Sequence, residues 1–380
     1  VAETPTQEKS KPQEKTAEGP QGVGAVNATT TGTITDKTND TDTPQTSAAQ
    51  NSQNNPPAPQ HKGLRLKSRF ARLALTFFGN LGYERLMTLG NALGSLMHWA
   101  QHPTRHTIET NLALAFSDLP PEKRQSLARA TLIDNCKLIL ELAYLWTRPA
   151  TDGKKLIRRI HGEDRFDQAL QDTRGLLLIL PHLGNWELTN HYLMAKTPLT
   201  ALYKPLHLPD VEAQVKAARS LGDTRMVPTN QSGVKELMRT LKKGGVSVIL
   251  PDQSPPAGSG QFAPLFGVDA YTSPLVPKLL GKTNALCLCI FAERLPDGKG
   301  FDIHIEPASP LIFDKDPTTA LRGLNASIEN CITPRISQYL WSYKRYKIRP
   351  HDDKNPYDYP LDASIKRTKT APLENSPLTG

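Results

Sequence analysis

The pattern in this chain best suited to chemistry is a histidine followed five residues later by a glutamate. The two are His182 and Glu187, in the run Pro181-His182-Leu183-Gly184-Asn185-Trp186-Glu187. An imidazole can take a proton near neutral pH. A carboxylate on its other ring nitrogen fixes the tautomer and stabilises the imidazolium that forms. Within one regular helix this spacing would put the two side chains on nearly opposite faces. They can meet only if His182 lies in a turn before a helix. Gly184 lets that turn close, Asn185 suits the N-cap, and Glu187 falls in the first turn, where the helix dipole favours its charge. The plainer reading of the same residues is a structural histidine and a capping acid.

Other blocks offer charge. Lys204, in Tyr203-Lys204-Pro205, follows a strand candidate and could hold a phosphate or a developing oxyanion. A surface lysine would look the same. Asp252-Gln253 ends another strand candidate, followed by a loop rich in Pro, Gly and Ser and then an apolar patch, Phe262–Phe266. That patch reads either as the lip of a channel for a long apolar chain or as a loop pinned by aromatics. Near the end, Lys344 and Arg345 sit in Tyr339-Leu340-Trp341-Ser342-Tyr343-Lys344-Arg345-Tyr346. Cations interleaved with aromatics suit phosphate or sugar binding, or an interfacial anchor. There is no GxxxxGK[ST], GxGxxG or HExxH pattern, and His182, Glu187 and His191 match no common zinc spacing, so no metal or cofactor is expected.

The elements that would position these groups alternate. Strand candidates are 175–180, 199–203, 225–227, 246–250, 285–292 and 301–305; helix candidates are 186–194, 210–221, 233–241 and 273–280. This predicts an α/β fold with a mostly parallel central sheet flanked by helices. A histidine at a strand end then lies where open α/β sheets bind ligands. Before the sheet, residues 63–150 read as helical. A basic run, with Lys62, Arg65, Lys67, Arg69 and Arg72, leads into apolar segments too short to span a bilayer. Leu86, Leu89, Leu93 and Leu96 recur at helical spacing. A basic leader before amphipathic helices suits a helix lying on an anionic membrane face.

The domain reading is therefore a low-complexity, disordered extension over 1–62, a membrane-associated helical region over 63–150, an α/β core over 151–350 and a flexible tail over 351–380. The net charge is +9, yet the first sixty residues hold four lysines against seven acids, so the basic excess belongs to the folded part. Nucleic acid, an anionic membrane and a phosphorylated substrate are all compatible with that charge, but no nucleic-acid-reading module is present. Four scattered cysteines form no disulfide framework and suggest reduced, buried thiols in a cytosol-facing protein. No secretory signal is visible at the N-terminus.

Taken together, the blocks resemble the late acyltransferases of lipid A biosynthesis in Gram-negative bacteria. The resemblance runs from about Leu73 to Pro350. It rests on His182 with Glu187, on Tyr203-Lys204-Pro205, on Asp252-Gln253 with Phe266-Gly267 and Thr272, and on the closing Gln338-Tyr339-Leu340-Trp341 with Lys344-Arg345. Lys204 stands where the family often has Arg, keeping the charge without the bidentate fork. The resemblance implies His182 as general base, assisted by Glu187, on a hydroxyl of a phosphorylated glycolipid acceptor. It implies acyl-acyl carrier protein as donor, and Asn185, Tyr203, Lys204, Asp252, Gln253, Lys344 and Arg345 around the substrates. No cofactor is needed, and the place of work would be the cytoplasmic face of the inner membrane. Alternatives are the same chemistry on another phospholipid or glycolipid, a hydrolase using the same pair on water, or a non-catalytic basic membrane-surface protein.

Overall fold

The computed structural model describes residues 62–219, 222–350 and 353–360. The extension expected over 1–62 therefore lies outside the described residues except for Lys62, as do Ser220, Leu221 and the tail from residue 361.

Four helices come first: α1 (Lys62–Gly79), α2 (Tyr83–Trp99), α3 (Pro103–Ala115) and α4 (Pro121–Thr147). Proline opens α3 and α4, where a missing N–H costs nothing. The stripe Leu132, Cys136, Leu140 and Ala143 of α4 is buried, as its spacing predicts. Helix α2 lies close against α4, because a Cβ on Gly90 would come within 2.6 Å of Lys137 and one on Gly94 within 2.4 Å of Ile133. The expected apolar stripe of α2 therefore divides. Leu86 is buried, whereas Leu93 and Leu96 remain exposed. No helix among the described residues is long and apolar enough to cross a membrane.

The rest alternates. In chain order it runs α5 (Ala150–Lys154), β1 (Ile157–His161), α6 (Glu163–Gln171), β2 (Leu176–Ile179), α7 (Trp186–Lys196), β3 (Leu199–Tyr203) and α8 (Pro209–Arg219). It continues with β4 (Thr224–Pro228), α9 (Gln231–Lys242), β5 (Val246–Ile249), β6 (Gln261–Leu265), β7 (Val268–Thr272) and α10 (Leu275–Thr283). It closes with β8 (Leu286–Arg294), β9 (Phe301–Pro307) and α11 (Pro317–Ile332). All six strand candidates and all four helix candidates form. Missed were β1, α5, α6, α11 and the β6–β7 hairpin. Strand β1 is a basic edge strand without an apolar run, and Pro264 argues locally against β6.

Seven strands form one sheet in the order β1-β9-β8-β2-β5-β3-β4. Strand β2 is parallel to both β5 and β8. Only β9, returning through a short turn after β8, runs antiparallel to it, and β1 follows β9. The sheet is covered on both faces. Leu177, Ile179, Cys289 and Phe291 face one core with α9, α10 and α11, while Leu176, Leu178, Leu288 and Ile290 face the other with α4, α6 and α7. This period of two within near-continuous apolar strands is what a sheet buried on both sides demands. The four cysteines are free and buried.

Of the two readings of the Phe262–Phe266 patch, a channel lip or a loop pinned by aromatics, the packing favours the second. Ala263 and Leu265 of β6 are buried, and the Phe266 ring packs against Phe116 and Trp341 at 4.9 and 5.7 Å. Of the expected tail, the described residues 353–360 are mostly exposed, with Tyr357 as an anchor: it is 5% exposed and its hydroxyl accepts from the Tyr346 N–H at 3.0 Å.

Candidate active site

Strands β2 and β5 are paired so that Ile179 stands opposite Ile249. Three residues beyond each lie His182 and Asp252, at the same carboxyl edge of the sheet. Two parallel neighbours leave the sheet in register, so their side chains meet. The Asp252 carboxylate uses both oxygens on this one histidine. Oδ1 is 2.7 Å from His182 Nδ1, and Oδ2 accepts from the His182 backbone N–H at 2.8 Å. A carboxylate can only accept, so Nδ1 carries a proton, and in the neutral ring Nε2 is then the nitrogen with the lone pair. The Asp252 side chain is 2% exposed, against 14% for His182. Burial pushes the Asp252 carboxyl up, but the His182 imidazole and the hydrogen bonds from ring and backbone outweigh it and hold the group below the usual carboxylate range.

Two side chains stand on the outer side of the imidazole, which is 14% exposed. Gln253 is exposed, with its amide nitrogen 3.3 Å from His182 Nε2, and the Trp186 ring stands edge-on to the imidazole at 4.8 Å. Tyr339 closes the inner side. It is 3% exposed, and its hydroxyl is held well above its ordinary range by burial first and then by the Asp252 charge.

The turn that carries His182 is fixed from three directions. Gly184 donates its N–H to the Gln338 carbonyl at 3.0 Å, Asn185 donates to the Ala292 carbonyl at 3.0 Å, and the His182 carbonyl accepts from Leu340 at 3.0 Å. Gly184 has φ +59°, and a Cβ there would lie 1.8 Å from the Ala292 oxygen. No other residue fits. Asn185 caps α7, its Oδ1 accepting from the Leu188 N–H at 3.1 Å. Its amide donates to Glu141 Oε2 at 3.1 Å. Glu141 in turn takes Arg294 Nε and Nη2 at 2.6 and 2.7 Å, and Arg294 reaches Asp134 at 3.0 Å. This buried ion network lies behind the turn and joins α4 to the end of β8.

Glu187, expected beside His182, is elsewhere. It is 4% exposed in the first turn of α7, where both its oxygens accept from Arg219 Nε at 3.1 Å and Arg219 Nη2 makes a further contact with Oε1. Arg219 ends α8 and lies over the Tyr203 ring at 5.5 Å. The Tyr203 hydroxyl donates to Glu212, which also accepts from the Leu206 N–H at 2.8 Å. Lys204 is exposed on this connection. It shares the sheet edge with His182, with β5 standing between their strands.

Asn185 and Arg345, both expected at the substrates, are engaged by protein instead. Asn185 is fully buried, and Arg345 is 2% exposed, donating to the Tyr271 carbonyl and Thr272 Oγ1 at 2.8 Å each. The closing aromatic-basic segment is a clamp: the Tyr343 hydroxyl accepts from the Ser254 N–H at 3.0 Å, and the Tyr346 hydroxyl donates to the Leu265 carbonyl at 3.0 Å. Lys344 stays exposed above the Tyr357 ring at 5.5 Å. Glu141, Arg294 and Arg219 were not found by sequence reasoning, since nothing local marks a partner so far along the chain.

His191 does not join His182 and Glu187 in a metal site; it is 3% exposed, and burial pushes its imidazole below the ordinary value. Among the described residues, the His/Cys/Asp/Glu group whose ligand atoms come together is His161, Asp302 and His304, on β1 and β9. Those side chains already serve one another. His161 Nε2 is 2.9 Å from Asp302, and His304 Nε2 is 2.8 Å from Glu293. The Arg335 guanidinium lies 3.2 Å from the His304 ring nitrogen, a poor setting for a cation.

Comparison with known proteins identifies the family. The family described as bacterial lipid A biosynthesis acyltransferase matches residues 66–348. The lipid A biosynthesis lauroyltransferase of Escherichia coli (strain K12) is 26% identical over 275 residues, 71% of this chain and 88% of that protein. The palmitoleoyltransferase of the same organism is 24% identical over 75% of this chain and 95% of its own length. A lipid A biosynthesis acyltransferase of Haemophilus influenzae is 24% identical over 70% of this chain and 83% of its own.

Proposed function

This chain belongs to the bacterial lipid A biosynthesis acyltransferase family and is an acyltransferase, and from that premise we propose that it moves a fatty acyl chain from acyl-acyl carrier protein to a hydroxyl of a lipid A precursor, with His182 as general base. The observation that carries this reading is the His182 imidazole beyond the end of the central strand β2, its Nδ1 held by a buried carboxylate and its Nε2 facing the exposed side chain of Gln253. Nε2 takes the proton of the acceptor hydroxyl as its oxygen attacks the thioester carbonyl carbon. The tetrahedral intermediate collapses with cleavage of the C–S bond, and the imidazolium returns the proton to the leaving thiolate. An ester and a free carrier thiol remain, and the base is regenerated. The exposed cations Lys204 and Lys344 are the groups suited to the acceptor's phosphates.

The helical region supports a place on the membrane surface. On α1, Leu66, Phe70, Leu73 and Phe77 are between 63% and 74% exposed and follow helical spacing. Arg65, Lys67, Arg69 and Arg72 lie among them, and Trp99 at the end of α2 is 80% exposed. An apolar stripe with basic neighbours suits a helix lying in an anionic interface, here the cytoplasmic face of the inner membrane. Acceptor and product chains would then stay in an apolar setting.

Mass spectrometry of the products tests the reading, with purified protein, acyl-acyl carrier protein and a tetra-acylated lipid A precursor. The expected result is a mass gain of one acyl chain, lost in His182→Ala. Release of free fatty acid with no acylated lipid would overturn acyl transfer in favour of hydrolysis.

A further inference from the structure

The site holds two buried carboxylates, and they touch different things. Asp252 spends both oxygens on His182, one on the ring and one on the backbone N–H. Glu187 spends both oxygens on Arg219. For Glu187 to reach the imidazole it would have to leave a guanidinium that is itself only 23% exposed, stranding a charge. Nothing draws it there, because the one N–H of the neutral imidazole is already given to Asp252. We propose that Asp252 is the positioning carboxylate of His182, and that Glu187 acts through Arg219 to hold the connection between β3 and α8 that carries Lys204. This rests on the reading of His182 as the base.

The strand register supports the first half. His182 and Asp252 stand at equal distances beyond a paired Ile179 and Ile249, so the contact is built by the sheet itself and not by a flexible loop. Tyr339 seals Asp252 from water on the inner side, and the backbone bridge between Leu183 and Tyr339 locks the two segments together. In that dry setting the carboxylate keeps Nδ1 protonated and Nε2 basic through the reaction. The second half follows the chain of contacts outward. Arg219 joins Glu187 to the Tyr203 ring, and the Tyr203 hydroxyl and the Leu206 N–H both end on Glu212. This brackets Lys204 between two anchored residues.

The deciding experiment reads the tautomer of His182 without substrate. The full chain is labelled with 15N-histidine, and the His182 ring signals are identified by their loss in His182→Ala. Wild type is expected to give the Nδ1–H tautomer. Asp252→Asn is expected to convert it, because an amide can donate to Nδ1, and to lower kcat by about 10³–10⁴-fold. Glu187→Gln is expected to leave the ring signals unmoved. Its loss of activity is matched by Arg219→Gln, and the double variant is no worse than either single one, as a coupled pair requires. An Nε2–H tautomer in wild type, or ring signals that move in Glu187→Gln and stay in Asp252→Asn, would overturn the assignment. Should Asp252→Asn not fold, the wild-type tautomer and the Glu187→Gln spectrum still decide. Since no acyl transfer is measured in these spectra, a failure of the acyltransfer reading would show in the product assay alone.

Discussion

Two histidine–carboxylate pairs in this molecule have nearly the same bond length and opposite prospects. His182 meets Asp252 at 2.7 Å, and His161 meets Asp302 at 2.9 Å. The first pair is 14% and 2% exposed and sits at the ends of the two central strands β2 and β5. The second is 48% and 13% exposed and sits on β1 and β9 at the sheet's edge. There the rings of His161, His304 and Phe291 stack across three neighbouring strands at 4.6 and 5.1 Å, and Glu293 and Arg335 complete a set of ion pairs. Burial decides between them. A desolvated carboxylate acts strongly on one imidazole, whereas an exposed pair is screened and stabilises little. Position decides as well, since only the central pair opens onto the edge where parallel strands end and ligands bind.

The largest expected effect tests that contrast in activity. His182→Ala should lower acyl transfer by at least about 10⁴-fold, the scale seen when a base is removed from a unit of this kind. His161→Ala should leave transfer within about twofold, because the His161 side chain is 48% exposed and its contacts go to Asp302 and the His304 ring. Product formation by mass spectrometry over a long incubation reads both. A large loss in His161→Ala would mean that the edge cluster is part of the active machinery.

Next in size is stability. Glu141 is 1% exposed and takes two hydrogen bonds from an Arg294 that is 4% exposed. Glu141→Gln leaves that buried guanidinium with Asp134 as its remaining carboxylate, a loss at the low end of about 3–5 kcal/mol. Arg335→Gln, whose side chain is 12% exposed beside a Glu293 that is 28% exposed, should cost less, about 1.5–3 kcal/mol. Urea unfolding of the two variants measures the difference. Equal costs would show that burial does not separate the central network from the edge one.

The sequence made part of this legible and hid the rest for physical reasons. The α/β class, every strand candidate and the turn at Gly184–Asn185 follow from local pattern, because apolar period and cap chemistry are local. The partner of His182 is not local. Asp252 was visible at a strand end, but that β5 rather than β3 lies next to β2 is set by packing, so the contact could not be read from spacing. Glu187 misled for the same reason: its distance from His182 along the chain permits contact, and the arrival of Arg219 from α8 takes it away. Arg345 looked like a substrate cation because it lies among aromatics, yet the Tyr271 carbonyl and Thr272 hydroxyl bury it.

A third test concerns surfaces, where the contrast lies between the two sides of α1. Ser68 on its inner side is fully buried, its hydroxyl accepting from the Asp210 N–H at 2.8 Å at the start of α8. Phe70 and Phe77 on the outer side are 74% and 63% exposed. Phe70→Ser with Phe77→Ser should weaken binding to anionic vesicles roughly tenfold or more per ring, while leaving acyl transfer in detergent micelles unchanged. Unchanged vesicle binding, measured by co-sedimentation, would remove α1 from the membrane contact.

The smallest effect is in acid, and it returns to the two pairs. Hydrogen bonding from His304, set against partial burial and aided by Arg335, lowers the Glu293 carboxyl from 4.5 to about 2. Its folded value is depressed, so the stability it adds is fully present above about pH 4.5 and is lost as pH falls toward about 2. Asp252 is lowered too, with the same sign, and its loss would reach the active site as well as the fold. Glu293→Gln should therefore melt a few degrees below wild type at pH 7, with the gap closing as pH falls through that window. A gap that stays constant from pH 7 to pH 2 would show that the edge carboxylate is held by packing and not by its charge.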